Sequence, residues 1–310
     1  MINKVFVTGG IGTGILFKFR EDAPLERNES RAAYLTDYRD YCKGHIILHY
    51  IAVLSPGVEA YMIGKIGDDA RGEELLREME AAGIDARHVE RTAYAPTMHS
   101  TCFIYPDGAG GNITASNSAC SLVTPEFIEN HSREIDCESL VVAAPEVPFE
   151  SRVRLLEIGR ERGAFNAASF TSAEVFKNKF IDLISLSDFI SINRDEARAF
   201  CDGTPEEAAT KMKLINPSLK LAITSGGDGV YLFENERSLH IPAVEAEVVS
   251  TAGAGDAFLA GAAAGFIKGK DFFTSAKYGC AAAFLSVQSG HTIADNVTIE
   301  NLKTAINIII

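Results

Sequence analysis

The sequence predicts an α/β fold: a three-layer α/β/α domain with a mainly parallel central sheet, accompanied by a small separate β-sheet. Three observations predict it. Short apolar runs at 139–143, 164–168, 188–192 and 219–224 alternate with segments of helical periodicity, the order that builds a parallel sheet covered on both faces. Two strand-like segments near 13–20 and 99–116 break that order, so they are assigned to a small sheet beside the main one. A glycine-rich turn at 250–256 leads directly into helices of small residues.

Taken in order, Val5 to Thr8 reads as a buried strand ended by Gly9-Gly10, and Ile15 to Phe19 as a half-exposed strand. Residues from about 20 to 40 are charged and expected to be irregular. Gly44 to Leu54 predicts a helix with a broad apolar face, and Ala60 to Ile66 a buried strand. Asp69 is placed to cap a helix running to about Ala82, in which Leu75, Leu76 and Met79 recur at helical spacing. Thr101–Tyr105 and Asn112–Ala115, around the turn Pro106-Asp107-Gly108, predict a hairpin, as do Val230–Phe233 and Leu239–Pro242. Helices follow at roughly 254–268 and 271–288, and the apolar tail Ile306 to Ile310 reads as a docked terminal segment. Residues 1–310 are expected to form one domain, with the small sheet drawn from about 12–40 and 97–118.

Composition limits the partners. The 310 residues are 46% hydrophobic and 23% charged, with a formal net charge of −13. Such a chain can bury a core, and its surface repels nucleic-acid phosphates. The six cysteines, at 42, 102, 120, 137, 201 and 280, form no C-x-x-C pair and read as reduced thiols of a cytoplasmic protein. The start MINKVFVTGG lacks the apolar stretch of a secretory leader. No apolar run reaches the roughly 18 residues that cross a bilayer, so no membrane partner is expected.

The chemistry concentrates in Ser250-Thr-Ala-Gly-Ala-Gly-Asp256. A helix N-terminus exposes unpaired N–H groups and carries partial positive charge. Glycines allow a phosphate to approach the backbone. An aspartate in the first turn could take a proton from an attacking hydroxyl while the amides hold developing charge. A bare G-x-G-D could equally cap a helix, but Ala260, Gly261, Ala264 and Gly265 downstream also imply a helix packed very closely on a neighbour.

The run S-T-A-G-A-G-D-A-F-L-A-G-A resembles the C-terminal signature of the ribokinase-like (pfkB-type) carbohydrate kinases. The resemblance implies ATP-dependent phosphoryl transfer to a hydroxyl of a small molecule, most simply a sugar, with Asp256 as base and Gly253, Ala254 and Gly255 as anion hole. Asn193-Arg-Asp-Glu196 resembles the family's N-x-x-E, implying that Asn193 and Glu196 organise Mg²⁺ through water. Thr224, Gly226 and Gly229 resemble its strand-end T-x-G-x-x-G at the nucleotide phosphates, and Gly290 stands where a glycine closes the adenine pocket. Gly64-Lys-Ile-Gly67-Asp-Asp69 and Phe103-Ile-Tyr-Pro-Asp-Gly108 resemble its early G-x-x-G-x-D segment and its lid hairpin. Members often form homodimers through the lid, and a homodimer is expected here.

The substrate half departs from the pattern. The family's N-x-D, whose aspartate grips sugar hydroxyls, aligns with Gly12-Thr13-Gly14, and its G-G-x-G-x-N with Tyr41-Cys-Lys43-Gly44-His-Ile46. Gly12, Gly14, Lys43, Gly44 and Ile46, with Asn166 and Asn117 near the pocket, are the substrate-side candidates. An altered pocket implies an unusual acceptor, a nucleoside or other non-sugar acceptor, or a regulatory protein that binds nucleotide or metabolite with weak turnover. Ser250 replaces an aspartate that builds a monovalent-cation site in several members, which leaves K⁺ dependence open. Gly10-Ile-Gly12-Thr-Gly14 is set aside as a dinucleotide fingerprint because a strand follows it, and His45/His49 as a zinc pair because no third ligand is evident.

Overall fold

A computed structural model describes residues 1–107, 110–171, 174 and 180–309. The chain runs β1 (Lys4–Thr8), β2 (Gly12–Lys18), β3 (Tyr34–Tyr41), α1 (Lys43–Leu54), β4 (Glu59–Gly67), α2 (Ala70–Ala81), β5 (Ile84–Asp85), β6 (Val89–Thr92), β7 (Met98–Ile104) and β8 (Gly110–Thr114). It continues with α3 (Pro125–His131), β9 (Ser139–Ala143), α4 (Phe149–Glu161), β10 (Phe165–Ala168), α5 (Phe180–Leu186), β11 (Phe189–Asn193), α6 (Arg194–Phe200) and α7 (Pro205–Ile215). It closes with β12 (Lys220–Thr224), β13 (Val230–Glu234), β14 (Arg237–Ile241), α8 (Ala254–Ile267), α9 (Phe272–Ser286) and α10 (Ile299–Ile306).

The large sheet has the order β14-β13-β12-β11-β10-β9-β1-β4-β5, with β6 also on β4. Its middle, from β12 to β5, is parallel, and the β12–β13–β14 edge is antiparallel. The alternating strands and helices of the sequence thus fold as expected. Val5, Phe6 and Val7 of β1 and Val141 and Val142 of β9 are wholly buried, as strands covered on both faces must be. Helices α1, α8 and α9 pack on one another, and α3, α4 and α5 form a second group, giving the three layers. The small-residue helix predicted at 254–268 does pack closely: a Cβ on Gly261 would lie 2.5 Å from the Tyr278 carbonyl oxygen of α9.

A second sheet, β3-β2-β7-β8, holds the early strands that broke the α/β order. Gly12 opens a strand rather than a helix, which disposes of the dinucleotide fingerprint. The turn residue Gly108 lies outside the described residues, as does Ile310, but the flanking β7 and β8 pair antiparallel as predicted. The expectation of an irregular 20–40 segment is corrected: Tyr34–Tyr41 is β3. A register shift between the Gly14–Asp40 and Leu16–Asp37 pairs puts a bulge in this strand, and a bulge breaks the period-2 alternation that would have revealed it. The same bulge aims Asp37 and Arg39 at one imidazole. His291 Nδ1 bonds Asp37 Oδ2 at 2.8 Å, and Arg39 Nη2 donates to His291 Nε2 at 2.8 Å. Tyr41 N donates to Thr292 Oγ1 at 3.0 Å. The small sheet is thereby tied to the loop after α9. The helix α10 was not anticipated; behind it Ile309 is buried while Ile308 is half exposed.

Candidate active site

Ligands of open α/β sheets bind at the carboxyl ends of the strands, and part of the predicted set collects there. A cleft of ≈ 610 Å³ is bordered by Asn193 at the end of β11, Thr224 at the end of β12, the Gly226–Gly229 turn, Lys43, and Gly253 to Asp256 at the start of α8. Its far wall is apolar, with Val244, Val248, Phe284, Val287 and Ile309. Gly290 lies just past this wall, exposed, with Val249 Cγ1 3.9 Å from the place of its absent side chain; it stands at the rim and does not line the cleft.

The turn into α8 depends on backbone only glycine adopts easily. Gly253 has φ 77° in the left-handed region, and a Cβ there would lie 2.9 Å from Thr292 O. This conformation starts the helix abruptly. Ala257 N bonds Gly253 O at 2.8 Å, whereas the N–H groups of Gly255 and Asp256 have no partner among the described residues. They point with the helix dipole at the cleft and can hold an anion. Gly229 has φ 94°, and its missing side chain is replaced by the Ile241 carbonyl, so the β12–β13 turn folds back tightly along the cleft floor.

Asn193 and Glu196 form a capping box on α6: Glu196 N donates to Asn193 Oδ1 and Asn193 N to Glu196 Oε2, each at 2.8 Å. The motif thus does local structural work. One oxygen of Glu196 is committed to the cap. The carboxyl is buried, which raises its pKa, and it is near enough to Lys43 and Asp256 for their charges to act on it. Beside it, Arg194 Nη1 meets Asp228 Oδ2 at 2.6 Å and bridges α6 to the glycine turn.

Asp256 is only 5% exposed. Burial pushes its carboxyl above the ordinary range, while the Lys43 ammonium, with Nζ 3.3 Å from Oδ2, opposes the rise. Lys43 is pushed up in turn by Asp256. A carboxylate that holds a proton more firmly than usual, and sits beside free amides, can act as a general base toward a bound hydroxyl. Lys43 N also donates to Glu146 Oε2 at 2.9 Å. Glu146 places a carboxylate at the N-terminus of α1, where Cys42 provides no side-chain cap. Its own φ is 76°, left-handed for a non-glycine residue, and such strain often accompanies a functional site. Burial raises its carboxyl as well. Glu146 is not among the residues singled out from the sequence; its signal there is an acidic residue just past the apolar run 139–143, at a parallel strand's carboxyl end.

The remaining substrate-side candidates do not line the cleft. Asn166 is fully buried, and its amide donates to the carbonyls of Leu156 (2.7 Å) and Leu186 (2.9 Å); it ties α4 and α5 to the sheet. Ile46 is a core residue of α1. Gly44 sits against the Gly9 backbone, where a Cβ would lie 2.7 Å from the Gly9 carbonyl carbon. Gly12 abuts Met98, and Gly14 lies beneath Ser100 and Asp40. Core packing explains both buried residues without any ligand: Ile46 on the apolar face of α1 and Asn166 on the covered strand β10. His45 is wholly buried, with burial lowering its pKa to about 3, and among the described residues no cluster of three or more His, Cys, Asp or Glu could hold a metal ion. No helix among them is long and apolar enough to cross a membrane.

Comparison with known proteins bears on the family and the fold. A ribokinase of Bacillus subtilis (strain 168) is 27% identical over 239 residues, covering 77% of this chain and 78% of the relative. An adenosine kinase of Saccharomyces cerevisiae is 26% identical over 254 residues, covering 76% and 74%. A ribokinase of Arabidopsis thaliana, solved with ribose and ATP, shares the fold at a TM-score of 0.80 and 20% identity, covering 99% of each chain. The pfkB family carbohydrate kinase pattern matches residues 47–299, and the chain belongs to that family of kinases.

Proposed function

We propose that the chain transfers the γ-phosphoryl group of ATP to a hydroxyl of a small sugar-like acceptor, with Asp256 as general base. The observation that carries this reading is the pairing of a buried, upward-shifted Asp256 with two unpartnered amides at one helix N-terminus in a cleft. The acceptor oxygen forms a bond to the γ-phosphorus, the bond to the ADP oxygen breaks, and the acceptor proton passes to Asp256. The free amides of Gly255 and Asp256 hold the developing charge, whereas Ala254 N is already bonded to Thr251 O at 3.3 Å. Lys43 and Glu146 shape the acceptor side of the base. The apolar wall suits a purine, and the turn at Gly226 and Gly229 suits the phosphates.

Mg²⁺ fits this site as a water-bridged ion. The ion usually keeps several waters and needs only one or two carboxylates beside substrate phosphates, and Glu196 offers a carboxylate oxygen not used in its cap, with Asn193 adjoining. When bound, the ion neutralises phosphate charge. Ser250 brings no carboxylate, so K⁺ dependence is a matter for assay. The four-stranded sheet serves as a lid that excludes water from the reaction. Its outer strands β3 and β8 carry exposed Leu35 (56%) and Ile113 (72%), which supports a homodimer through the lid; light scattering of wild type and Leu35→Lys checks it.

The test is ADP release from ATP and Mg²⁺ with sugars, sugar phosphates, polyols and nucleosides, with and without K⁺. Acceptor-dependent ADP release supports the kinase. ATP binding without turnover on any acceptor defeats it in favour of a regulatory protein.

A further inference from the structure

The small sheet gathers polar side chains over Gly14 that the phosphoryl-transfer machinery leaves unused. Gly14 on β2 is paired with Asp40 on β3 and with Ser100 on β7, so the three residues share one rung and one face of the sheet. A Cβ built on Gly14 would lie 2.6 Å from Ser100 Oγ and 3.1 Å from Asp40 Oδ2. A carboxylate from one neighbouring strand and a hydroxyl from the other therefore converge where a residue-14 side chain would stand.

Asp40 is held in place. Its Oδ2 accepts a hydrogen bond from Cys102 Sγ at 3.0 Å. The Cys102 thiol is pushed up to about 12, first by burial and then by Asp40 itself, so it stays protonated and donating at neutral pH. Oδ1 has no hydrogen-bond partner among the described residues. The charge of Asp40 acts on Asp256 and on Cys42, the residue before Lys43. Asp40 stands three residues before Lys43, where β3 runs into α1, and Lys43 Nζ lies 3.3 Å from Asp256 Oδ2.

We propose that Asp40, with Ser100 beside it, is the specificity-determining group of the acceptor site and accepts hydrogen bonds from acceptor hydroxyls other than the one phosphorylated. The proposal rests on the kinase reading above. It also names the acceptor's chemistry at that end: a neutral polyhydroxy group. Asp40, Asp256 and Glu146 are acidic, and the Lys43 ammonium is already engaged by Asp256. A phosphate there would be repelled, whereas a diol donates to the free carboxylate oxygen. An analogue without the hydroxyl leaves a half-buried carboxylate unpaired and is rejected strongly.

The test is steady-state kinetics on the full chain, with ATP, Mg²⁺ and, as probes, D-ribose, D-fructose and adenosine. For the best probe, Asp40→Asn should raise the acceptor KM roughly tenfold, and Asp40→Ala further, with ATP KM within about twofold and kcat within about threefold of wild type. Asn keeps the shape of Asp, so the readout survives if Asp40→Ala folds poorly. Among singly deoxygenated analogues of that probe, wild type should disfavour one, and Asp40→Asn should lose that selectivity; a merely structural role would move all analogues alike. An acceptor KM within twofold of wild type in both variants overturns the proposal and leaves the kinase standing. No acceptor-dependent ADP release by wild type overturns the kinase reading, and the proposal with it.

Discussion

The proposed nucleotide and acceptor sides of the site are built on different principles. The proposed nucleotide side is made of backbone: a left-handed Gly253, free amides at the start of α8, and the Gly226–Gly229 turn. The proposed acceptor side is made of side chains from separate elements: Lys43 on α1 and Asp256 on α8 in the cleft, with Glu146 past β9 and Asp40 on β3 beside them. Backbone binding demands glycine at particular places, so it leaves a contiguous signature. Side-chain binding demands only that certain groups meet in space, and the chain can supply them from different positions.

Substitutions can break or sharpen this contrast. The largest effect is expected where the two sides meet. Asp256→Asn should lower kcat by roughly 10²-fold or more with ATP affinity retained, measured by single-turnover kinetics and a nucleotide-binding titration; unchanged turnover would remove Asp256 from the mechanism. Next is Gly253→Ala. It forces a Cβ into left-handed backbone against Thr292 O, at a cost of about 1–3 kcal/mol, and should weaken ATP handling roughly tenfold while sparing acceptor KM. Equal damage to both substrates would mean that the two sides are not separable.

Lys43→Met should act chiefly on the acid side of the pH profile. Asp256 must be ionised to take a proton, and its carboxyl is already raised, so kcat/KM falls as pH drops through that raised value. Lys43 favours the ionised form. Without it the carboxyl rises further, and activity is lost at a higher pH than in wild type. An acid limb that stays put or moves down would show that the ammonium does not act on the base. The smallest effect is expected from Arg194→Ala. Its partner Asp228 is 56% exposed, and exposed ion pairs contribute about 0–1 kcal/mol, so ATP KM should change less than about fivefold.

Parts of the molecule differed in how plainly they could be read. The strands at 139–143 and 219–224 were legible because full burial makes an uninterrupted apolar run. Helix α2 was legible because Asp69 does accept from Gly72 N at 2.9 Å as its cap. The strand β3 was not, because its bulge destroys the alternation and its residues are charged. Asn166 and Ile46 were misassigned because a position aligned with a pocket motif says nothing about which way the side chain points; both point into the core.

The sequence by itself determined the parallel sheet, the glycine turn before Asp256 and the absence of a carboxylate at position 14, since each depends on local backbone preference or on one residue's identity. Only the tertiary structure decided that Lys43 lies 3.3 Å from Asp256 across 213 residues of chain, that Glu146 caps α1, and that Asp40 reaches the space above Gly14. These contacts join segments brought together by sheet order and strand register, and neither is encoded in the spacing of the residues that finally touch.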